Sequence, residues 1–186
     1  MGPIREEAIL DVILESIAVA RQVRLPHMLI GALALVLWGQ PRATTDVDLM
    51  IGVRPDAWER VKQRAQQAGF VIDEIWEQYN PMLRGRQMRF HKNRITVDFL
   101  APRDEHDQEA LRRRRWKSFA HHRLAVVAPD DLILQKLKTG RPRDLDDAAS
   151  ILERSQKMID YDYLRAWAKR LRVVQELDYL LNLREH

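Results

Sequence analysis

The sequence contains no cysteine among its 186 residues. This absence excludes disulfide bonds, thiolate catalysis and zinc sites built from cysteine. The chain also lacks a membrane-spanning run: the apolar stretch at 28–38 is too short to cross a bilayer and leads directly into polar residues. The segment Met1 to Glu7 does not have the pattern of a signal peptide. We therefore expect a cytoplasmic location and no membrane partner.

The composition shows no strong bias toward one charge. Apolar residues make up 46% of the chain and charged residues 31%, which is typical of a soluble globular protein. The net charge of +4 favours an anionic substrate but does not by itself indicate nucleic-acid binding. The sequence has no internal repeat and no low-complexity linker. Its length fits one compact domain, or a domain with a small helical extension.

The most informative feature is a pair of aspartates, Asp46 and Asp48, at the start of an apolar segment. The run from Val47 to Ile51 is apolar apart from Asp48, which predicts a buried strand. Because residues two apart on a strand point to the same face, the two carboxylates are expected side by side. Close carboxylates repel each other, and a divalent cation relieves that repulsion. Magnesium commonly joins one or two carboxylates to substrate phosphates, so the pair indicates phosphoryl or nucleotidyl transfer.

The order of predicted elements indicates an α+β fold, with a mixed β-sheet flanked by helices and a helical C-terminal third. Residues 103–118 are strongly charged and are expected to form a surface helix or loop. The predicted strands are 27–30, 47–53, 70–77, 87–91, 95–100 and 124–128. The predicted helices are 5–23, 32–38, 55–69, 129–138 and 144–155, with one or two more over 160–183.

The segment from Leu29-Ile30-Gly31-Ala32 to Thr45-Asp46-Val47-Asp48 resembles the nucleotidyltransferase superfamily, which has the polymerase-β-like fold. The shared pattern is an apolar residue, a glycine, a small residue and then Asp-x-Asp on a strand. Within the superfamily, the chain is most similar to the minimal nucleotidyltransferases and the AbiEii-type toxins. The resemblance extends over about residues 25–155. It implies a catalytic core over 1–128 and a helical region over 129–186 that packs on that core.

The resemblance implies roles for three carboxylates. Asp46 and Asp48 would bind Mg²⁺ or Mn²⁺. Asp98, on the alternating strand Ile-Thr-Val-Asp-Phe-Leu, lies where the family has its third acid. It would complete the metal site and help to activate an acceptor hydroxyl. Two metal ions could then stabilise the attacking and leaving oxygens at the α-phosphate of a nucleoside triphosphate such as ATP.

The resemblance also implies a nucleotide-binding role for the turn before the acid pair. Gly31 would let backbone amides face the triphosphate. Ala32 stands where many members have serine or glycine; it cannot donate a hydroxyl hydrogen bond, but its small side chain allows a phosphate to approach. Arg42 is either a phosphate ligand or a surface arginine, and Thr45 either donates a hydroxyl or caps the strand.

A second motif lies in the run from Pro129 to Asp147. In the AbiEii-type branch, a helix that carries a lysine leads into an Arg-x-x-Asp-x-x-Asp-like helix. By this resemblance, Lys136 and Arg143 would neutralise the triphosphate from the other side. The alternatives are a surface lysine, and an arginine paired with Asp144 or Asp147 at the start of a helix.

Three classes of function follow. The first is transfer of a nucleoside monophosphate from an NTP to RNA, tRNA or a protein, as the toxin of a toxin–antitoxin pair with an antitoxin as partner. The second is the same transfer to a small molecule, as in aminoglycoside- or lincosamide-modifying relatives. The third is a non-catalytic nucleotide- or protein-binding module. The run Arg112 to Arg115 beside Trp116 is either an RNA-binding segment or a solvated charged face.

Overall fold

The computed structural model of the chain describes residues 6–41 and 43–182. This part contains one mixed sheet of seven strands, with helices packed around it, which confirms the predicted α+β fold. The strands are β1 His27–Leu29, β2 Asp46–Ile51, β3 Val71–Ile72, β4 Gln87–Lys92, β5 Ile95–Leu100, β6 Arg115–Phe119 and β7 His122–Val126. The helices are α1 Glu6–Gln22, α2 Gly31–Trp38, α3 Trp58–Gln67, α4 Glu74–Tyr79, α5 Glu105–Arg113, α6 Pro129–Thr139, α7 Pro142–Ser155, α8 Tyr161–Leu171 and α9 Val174–Asn182.

The strand order across the sheet is β3-β4-β5-β2-β1-β7-β6. Two neighbouring pairs are parallel, β2 with β5 and β1 with β7, and the other neighbours are antiparallel. The centre of the sheet is therefore β5, β2 and β1. Strand β5 carries Asp98, and β2 carries Asp46 and Asp48. Strand β1 ends at Leu29, two residues before Gly31.

The central strands are apolar because both faces of the sheet are covered. Val47, Leu49 and Ile51 on β2 are fully buried and point away from the face that carries Asp46 and Asp48. Helix α1 contacts β2, β5 and α3, whereas α2 contacts β2, α6 and α7. Burial of these large aliphatic side chains stabilises the sheet by about 1.5–3 kcal/mol for each side chain.

The helices α6 to α9 share the hydrophobic core of the sheet. Leu134, Ile151, Leu164 and Leu177 are buried in the same cluster as Leu35 on α2. One core therefore extends across the predicted boundary between residues 128 and 129, and the division into two regions stays a prediction. No helix in the described part of the chain is both long and apolar enough to cross a lipid bilayer.

Two local predictions were wrong. The strand expected over 70–77 ends at Ile72, because the Asp73 carboxylate accepts a hydrogen bond from the Trp76 amide (2.8 Å) and so caps α4. The charged segment 103–118 is neither wholly a helix nor a loop: α5 ends at Arg113 and an edge strand, β6, follows. That strand forms a hairpin with β7 through Ala120 and His121, which both have positive φ.

Candidate active site

The three predicted acids lie on neighbouring parallel strands. Asp48 on β2 is in register with Asp98 on β5, and Asp46 precedes Asp48 by two residues on the same face. Asp46 is exposed at the start of the strand, Asp48 is half-buried, and Asp98 is only 6% exposed. The sheet thus brings the three carboxylates to one surface, with Asp48 between the other two.

Gly31 closes this surface from the side of β1. Its φ is +63°, which is the left-handed region that favours glycine. A Cβ atom at this position would lie 2.1 Å from Oδ2 of Asp48. The neighbouring Ile30 amide donates to the Asp48 carbonyl oxygen (3.1 Å), which fixes the turn against β2. The glycine is therefore required both by backbone conformation and by the close approach of the carboxylate.

The environment of Asp48 strongly disfavours its charged form. Burial is the larger cause, and with the negative charges of Asp98 and Asp46 it raises the pKa of Asp48 to about 6. Lys136 and Arg89 act in the opposite direction but do not cancel this effect. An excess of negative charge at a buried carboxylate is the condition that a bound divalent cation relieves.

Asp98 is held by an arginine that the sequence analysis did not identify. Arg89 on β4 lies directly across the antiparallel ladder from Asp98. Its Nε donates to Oδ1 (2.9 Å) and its Nη2 donates to Oδ2 (2.7 Å), so the guanidinium holds both carboxylate oxygens. The Arg89 guanidinium also lies over the Trp76 ring, 4.8 Å from its centroid. This pair keeps Asp98 in one orientation.

The residues fit a divalent cation at the Asp46–Asp48 pair. Both side chains are carboxylates on one strand face, and the charges of Asp98 and Asp46 add to burial in raising the pKa of Asp48, so a bound cation there would be favourable. One oxygen from each of Asp46, Asp48 and Asp98 cannot be chosen so that all three lie within 4.8 Å of one another. Arg89 uses one acceptor site on each Asp98 oxygen and leaves others available, and a metal site with three carboxylates stays a prediction.

A cavity of about 370 Å³ opens over the acids. It lies between the start of β2, the N-terminus of α2 and one face of α6. Its lining includes six of the residues predicted for the site: Gly31, Ala32, Asp46, Asp48, Asp98 and Lys136. The first two residues of α2, Gly31 and Ala32, line this cavity, and a helix N-terminus favours phosphate oxygens.

The second sequence motif forms the opposite wall. Lys136 is buried, and its Nζ donates to Asp144 and to Asp147, both at 2.7 Å. This geometry joins α6 to α7 and places an ammonium group at the edge of the cavity. Arg143 is exposed and is not part of the cavity lining, whereas Arg141 is part of it. The arginine that precedes Asp144 by three residues, as in the Arg-x-x-Asp pattern, is Arg141.

Gln135 is a further lining residue that sequence reasoning missed. It is 8% exposed, and its Nε2 amide has no hydrogen-bond partner in the described part of the chain. An unpaired buried donor costs about 1–3 kcal/mol, which a ligand oxygen would recover. No motif marks this glutamine. Its position next to Lys136 on α6 is the one available signal.

The last two residues predicted to bind the nucleotide, Thr45 and Arg42, are not among those that line the cavity in the described chain. Thr45 is exposed, and its neighbour Thr44 lines the cavity instead. The Thr44 hydroxyl accepts a hydrogen bond from the Asp46 amide (3.1 Å) and so fixes the first residue of β2. Arg42 lies outside the described residues, and its role stays a prediction.

A separate acidic cluster is already neutralised. Asp104, His106 and Asp107 lie close enough together to suggest a metal site. However, the Lys138 ammonium donates to Asp104 at 2.8 Å and to Asp107 at 2.9 Å. A cation therefore already occupies the position between these carboxylates, and this group does not require a metal.

The arginine run is divided between the interior and the surface. Arg113 donates to Asp130 (2.6 Å), lies 3.5 Å from Asp131, and stacks on Tyr163 at 3.4 Å from the ring centroid. Arg112 is exposed and pairs with Glu109. The interpretation of the whole run as a nucleic-acid contact is therefore wrong for Arg113, because its guanidinium is used in an internal ion-pair network.

Solved structures with the same fold are nucleotidyltransferases, which confirms the predicted fold class. The chain is similar to the antibiotic-resistance factor ANT(2'')-Ia, with a TM-score of 0.62 at 12% identity over 94% of this chain and 98% of that one. It is similar to ANT(2'')-Ia in complex with adenylyl-2''-tobramycin, with a TM-score of 0.57 at 11% identity over 88% and 96%. It is also similar to the lincosamide antibiotic adenylyltransferase LnuA with lincomycin bound, with a TM-score of 0.54 at 15% identity over 81% and 98%. No family model matches the sequence, and no curated protein does.

Proposed function

We propose that this protein is a metal-dependent nucleotidyltransferase that moves a nucleoside monophosphate from an NTP to a hydroxyl group of an acceptor. The observation that carries the proposal is the pairing of Asp48 with Asp98 across neighbouring strands, with Gly31 packed against the Asp48 carboxylate. The fold is that of nucleotidyltransferases, among them an adenylyltransferase, so ATP is the first donor to test.

Binding of the triphosphate follows from the donors around the cavity. The amides at the start of α2, the free amide group of Gln135, and the cations Lys136 and Arg141 all border the same space. Negative phosphate oxygens would satisfy the Gln135 donor and the N-terminus of α2 together. A divalent cation at Asp46 and Asp48 would supply charge neutralisation between the carboxylates and the phosphates.

In this proposal Asp98 receives the proton of the acceptor hydroxyl. Its carboxylate is buried on the same sheet face as Asp48, and Arg89 fixes both of its oxygens. An ionised carboxylate held in one orientation is a suitable general base when the hydroxyl lies within hydrogen-bond reach. The proton would pass from the hydroxyl to Asp98 as the acceptor oxygen attacks the α-phosphate, and pyrophosphate would leave.

The acceptor classes remain those of the sequence analysis: RNA or tRNA, a protein, or a small molecule. The toxin role, the antitoxin partner and the AbiEii-type branch stay predictions that rest on the sequence resemblance. Incubation with α-labelled ATP and Mg²⁺ tests transfer directly. Transfer RNA, a mixed protein extract, tobramycin and lincomycin serve as parallel acceptors, the last two because neighbours of the same fold bind them or their adenylylated form.

Asp48→Asn and Asp146→Asn form the matched pair of variants for this assay. Both remove one negative charge, but Asp146 is an exposed residue on α7. We expect label transfer by the parent and by Asp146→Asn, and none by Asp48→Asn. Metal-dependent binding of ATP without transfer to any acceptor pool would instead support the non-catalytic nucleotide-binding module. Equal transfer by both variants would contradict the proposed site.

A further inference from the structure

A second cavity, of about 570 Å³, lies against the edge strand β6 and is separate from the acid site. Four of its eight lining residues are cationic, and none is acidic. We call this cavity the basic groove. Its cations are Arg114, Arg115, Lys117 and Arg123.

The cations of the basic groove are not used by internal ion pairs. Within 6–41 and 43–182, Arg115, Lys117 and Arg123 have no carboxylate within salt-bridge distance. Arg113, one residue before the groove begins, shows the contrast, because two carboxylates hold it. Unpaired cations that line one concave surface leave a positive potential that attracts anions.

Two indole rings lie among these cations. Trp116 on β6 is 45% exposed, and Trp38 at the end of α2 borders the same cavity. Lys117 lies 4.4 Å from the Trp38 ring centroid, and Arg123 lies 5.3 Å from that of Trp116. Trp116 and Arg123 share one face of the β6–β7 hairpin, and Arg115 and Lys117 share the other, so the basic groove extends around the edge of β6. The exposed Trp116 ring offers a stacking surface for a base next to the Arg123 cation.

The basic groove lies at the same end of the sheet as the acid site. Arg115 pairs with Val126, Val126 with Leu29, and Leu29 with Leu49, which follows Asp48. These residues form one row across four strands. Three strand spacings separate β6 from β2, which corresponds to roughly 14 Å. Because residues paired in register share a face, Arg115 points to the face of Leu49, opposite Asp46 and Asp48, and the basic groove is a surface distinct from the acid site.

We propose that the basic groove binds a single-stranded polynucleotide, with its phosphates on Arg115, Lys117 and Arg123 and a base stacked on Trp116. The combination of unpaired cations and an exposed indole selects this class, since an acidic peptide would use the charges but not the stacking surface. The proposal goes beyond nucleotidyl transfer and does not depend on it, because binding in the groove needs neither NTP nor metal.

The test is fluorescence anisotropy with labelled oligo(A) and oligo(dA) over a range of salt concentrations, without nucleotide or divalent cation. Binding of either strand should weaken steeply with salt. Arg115→Ala/Arg123→Ala should flatten the log–log slope by about 0.7 for each phosphate contact removed. The matched control is Arg60→Ala/Arg64→Ala, which removes two exposed arginines from α3. This control should retain the slope of the parent.

Stacking is tested separately with Trp116. Trp116→Ala should weaken binding about tenfold with little change in the salt slope, and Trp116→Phe should restore part of the affinity. Equal loss in the α3 control, or absence of binding at low salt, would overturn the proposal. So would equal affinity for polyglutamate of matched charge with no effect of Trp116→Ala, which would assign the groove to an acidic protein.

Discussion

The carboxylate of Asp48 occupies the space where Gly31 lacks a side chain. A Cβ atom on Gly31 would lie 2.1 Å from Asp48 Oδ2, which is far inside van der Waals contact. The turn between β1 and α2 and the acid pair on β2 are therefore one structural unit. The same close packing accounts for part of the burial that raises the pKa of Asp48.

Gly31→Ala should remove metal-dependent nucleotide binding by displacing Asp48. The φ of +63° also makes the substitution destabilising, by about 1–2 kcal/mol from backbone strain alone. Gly85→Ala is the matched control, because Gly85 has φ +72° but nothing within 4 Å of its ideal Cβ. Thermal unfolding with and without Mg²⁺–ATP checks the prediction. Both variants should lose stability, and Gly31→Ala alone should lose the ligand-induced shift.

The raised pKa of Asp48 predicts a specific pH dependence of stability in metal-free protein. A carboxyl whose pKa is raised on folding binds its proton more tightly in the folded state than in the unfolded state. The stability of the parent relative to Asp48→Asn should therefore fall as pH rises from about 4 to about 6, and then level off. A shift of roughly two units corresponds to at most about 3 kcal/mol.

The measurement is urea unfolding of the parent and Asp48→Asn in EDTA across this pH range. Asp48→Asn should be the more stable protein at neutral pH, and the difference should disappear below pH 4, where the carboxyl is protonated in both states. A difference independent of pH would show that Asp48 does not titrate in this window. In the parent, protonation of Asp48 should also weaken Mg²⁺ binding below pH 6.

Arg89→Ala should have opposite effects on stability and on metal affinity. The variant leaves the buried Asp98 carboxylate unpaired, which we expect to cost about 2–3 kcal/mol of unfolding free energy without metal. It also frees both Asp98 oxygens for a cation, so Mn²⁺ should bind more tightly. Calorimetric titration with Mn²⁺ measures the second effect. Unchanged or weaker Mn²⁺ binding would show that Asp98 is not a potential metal ligand.

The first two arginines of the run 112–115, Arg112 and Arg113, should differ strongly in their effect on stability. Arg113→Ala leaves Asp130 and Asp131 buried beside each other without their cation, a loss of about 3 kcal/mol or more. Arg112→Ala removes only an exposed pair with Glu109 and should change stability by at most about 0.5 kcal/mol. Urea unfolding of the two variants checks this contrast, and equal effects would contradict the internal role of Arg113.

Gln135→Met should separate ligand binding from folding. The substitution removes a buried amide donor that has no partner in the described chain, so the ligand-free protein should be as stable as the parent or more stable. Binding of ATP with Mg²⁺ should weaken, because the donor that faces the cavity is lost. Unchanged ATP affinity would place the triphosphate away from α6.

Strand alternation and the family resemblance together predicted that the three acids share one region of the sheet. The spacing of Asp46 and Asp48 gave their shared face, and the resemblance placed Asp98 on a neighbouring strand. The partner of Asp98 could not be predicted in the same way. Arg89 lies opposite Asp98 because of the register of the β4–β5 hairpin, which is a tertiary property and not a pattern within one strand.

The segment from 103 to 123 was difficult to predict for a local reason. The turn between β6 and β7 uses Ala120 and His121 with positive φ, although asparagine and glycine normally indicate such a turn. Without that signal, the arginine run appeared to continue a charged helix. The separation of Arg113, which faces carboxylates, from Arg115, which begins β6, depends on this hairpin.

A crystal structure with Mn²⁺ and a non-hydrolysable ATP analogue would test the central claim most directly. Anomalous scattering should place Mn²⁺ about 2.0–2.6 Å from oxygens of Asp46 and Asp48. The triphosphate should lie against the amides of α2 and the side chain of Gln135. Mn²⁺ bound between Asp104 and Asp107 in place of Lys138, with no metal or nucleotide at the Asp46–Asp48 pair, would contradict the proposed active site.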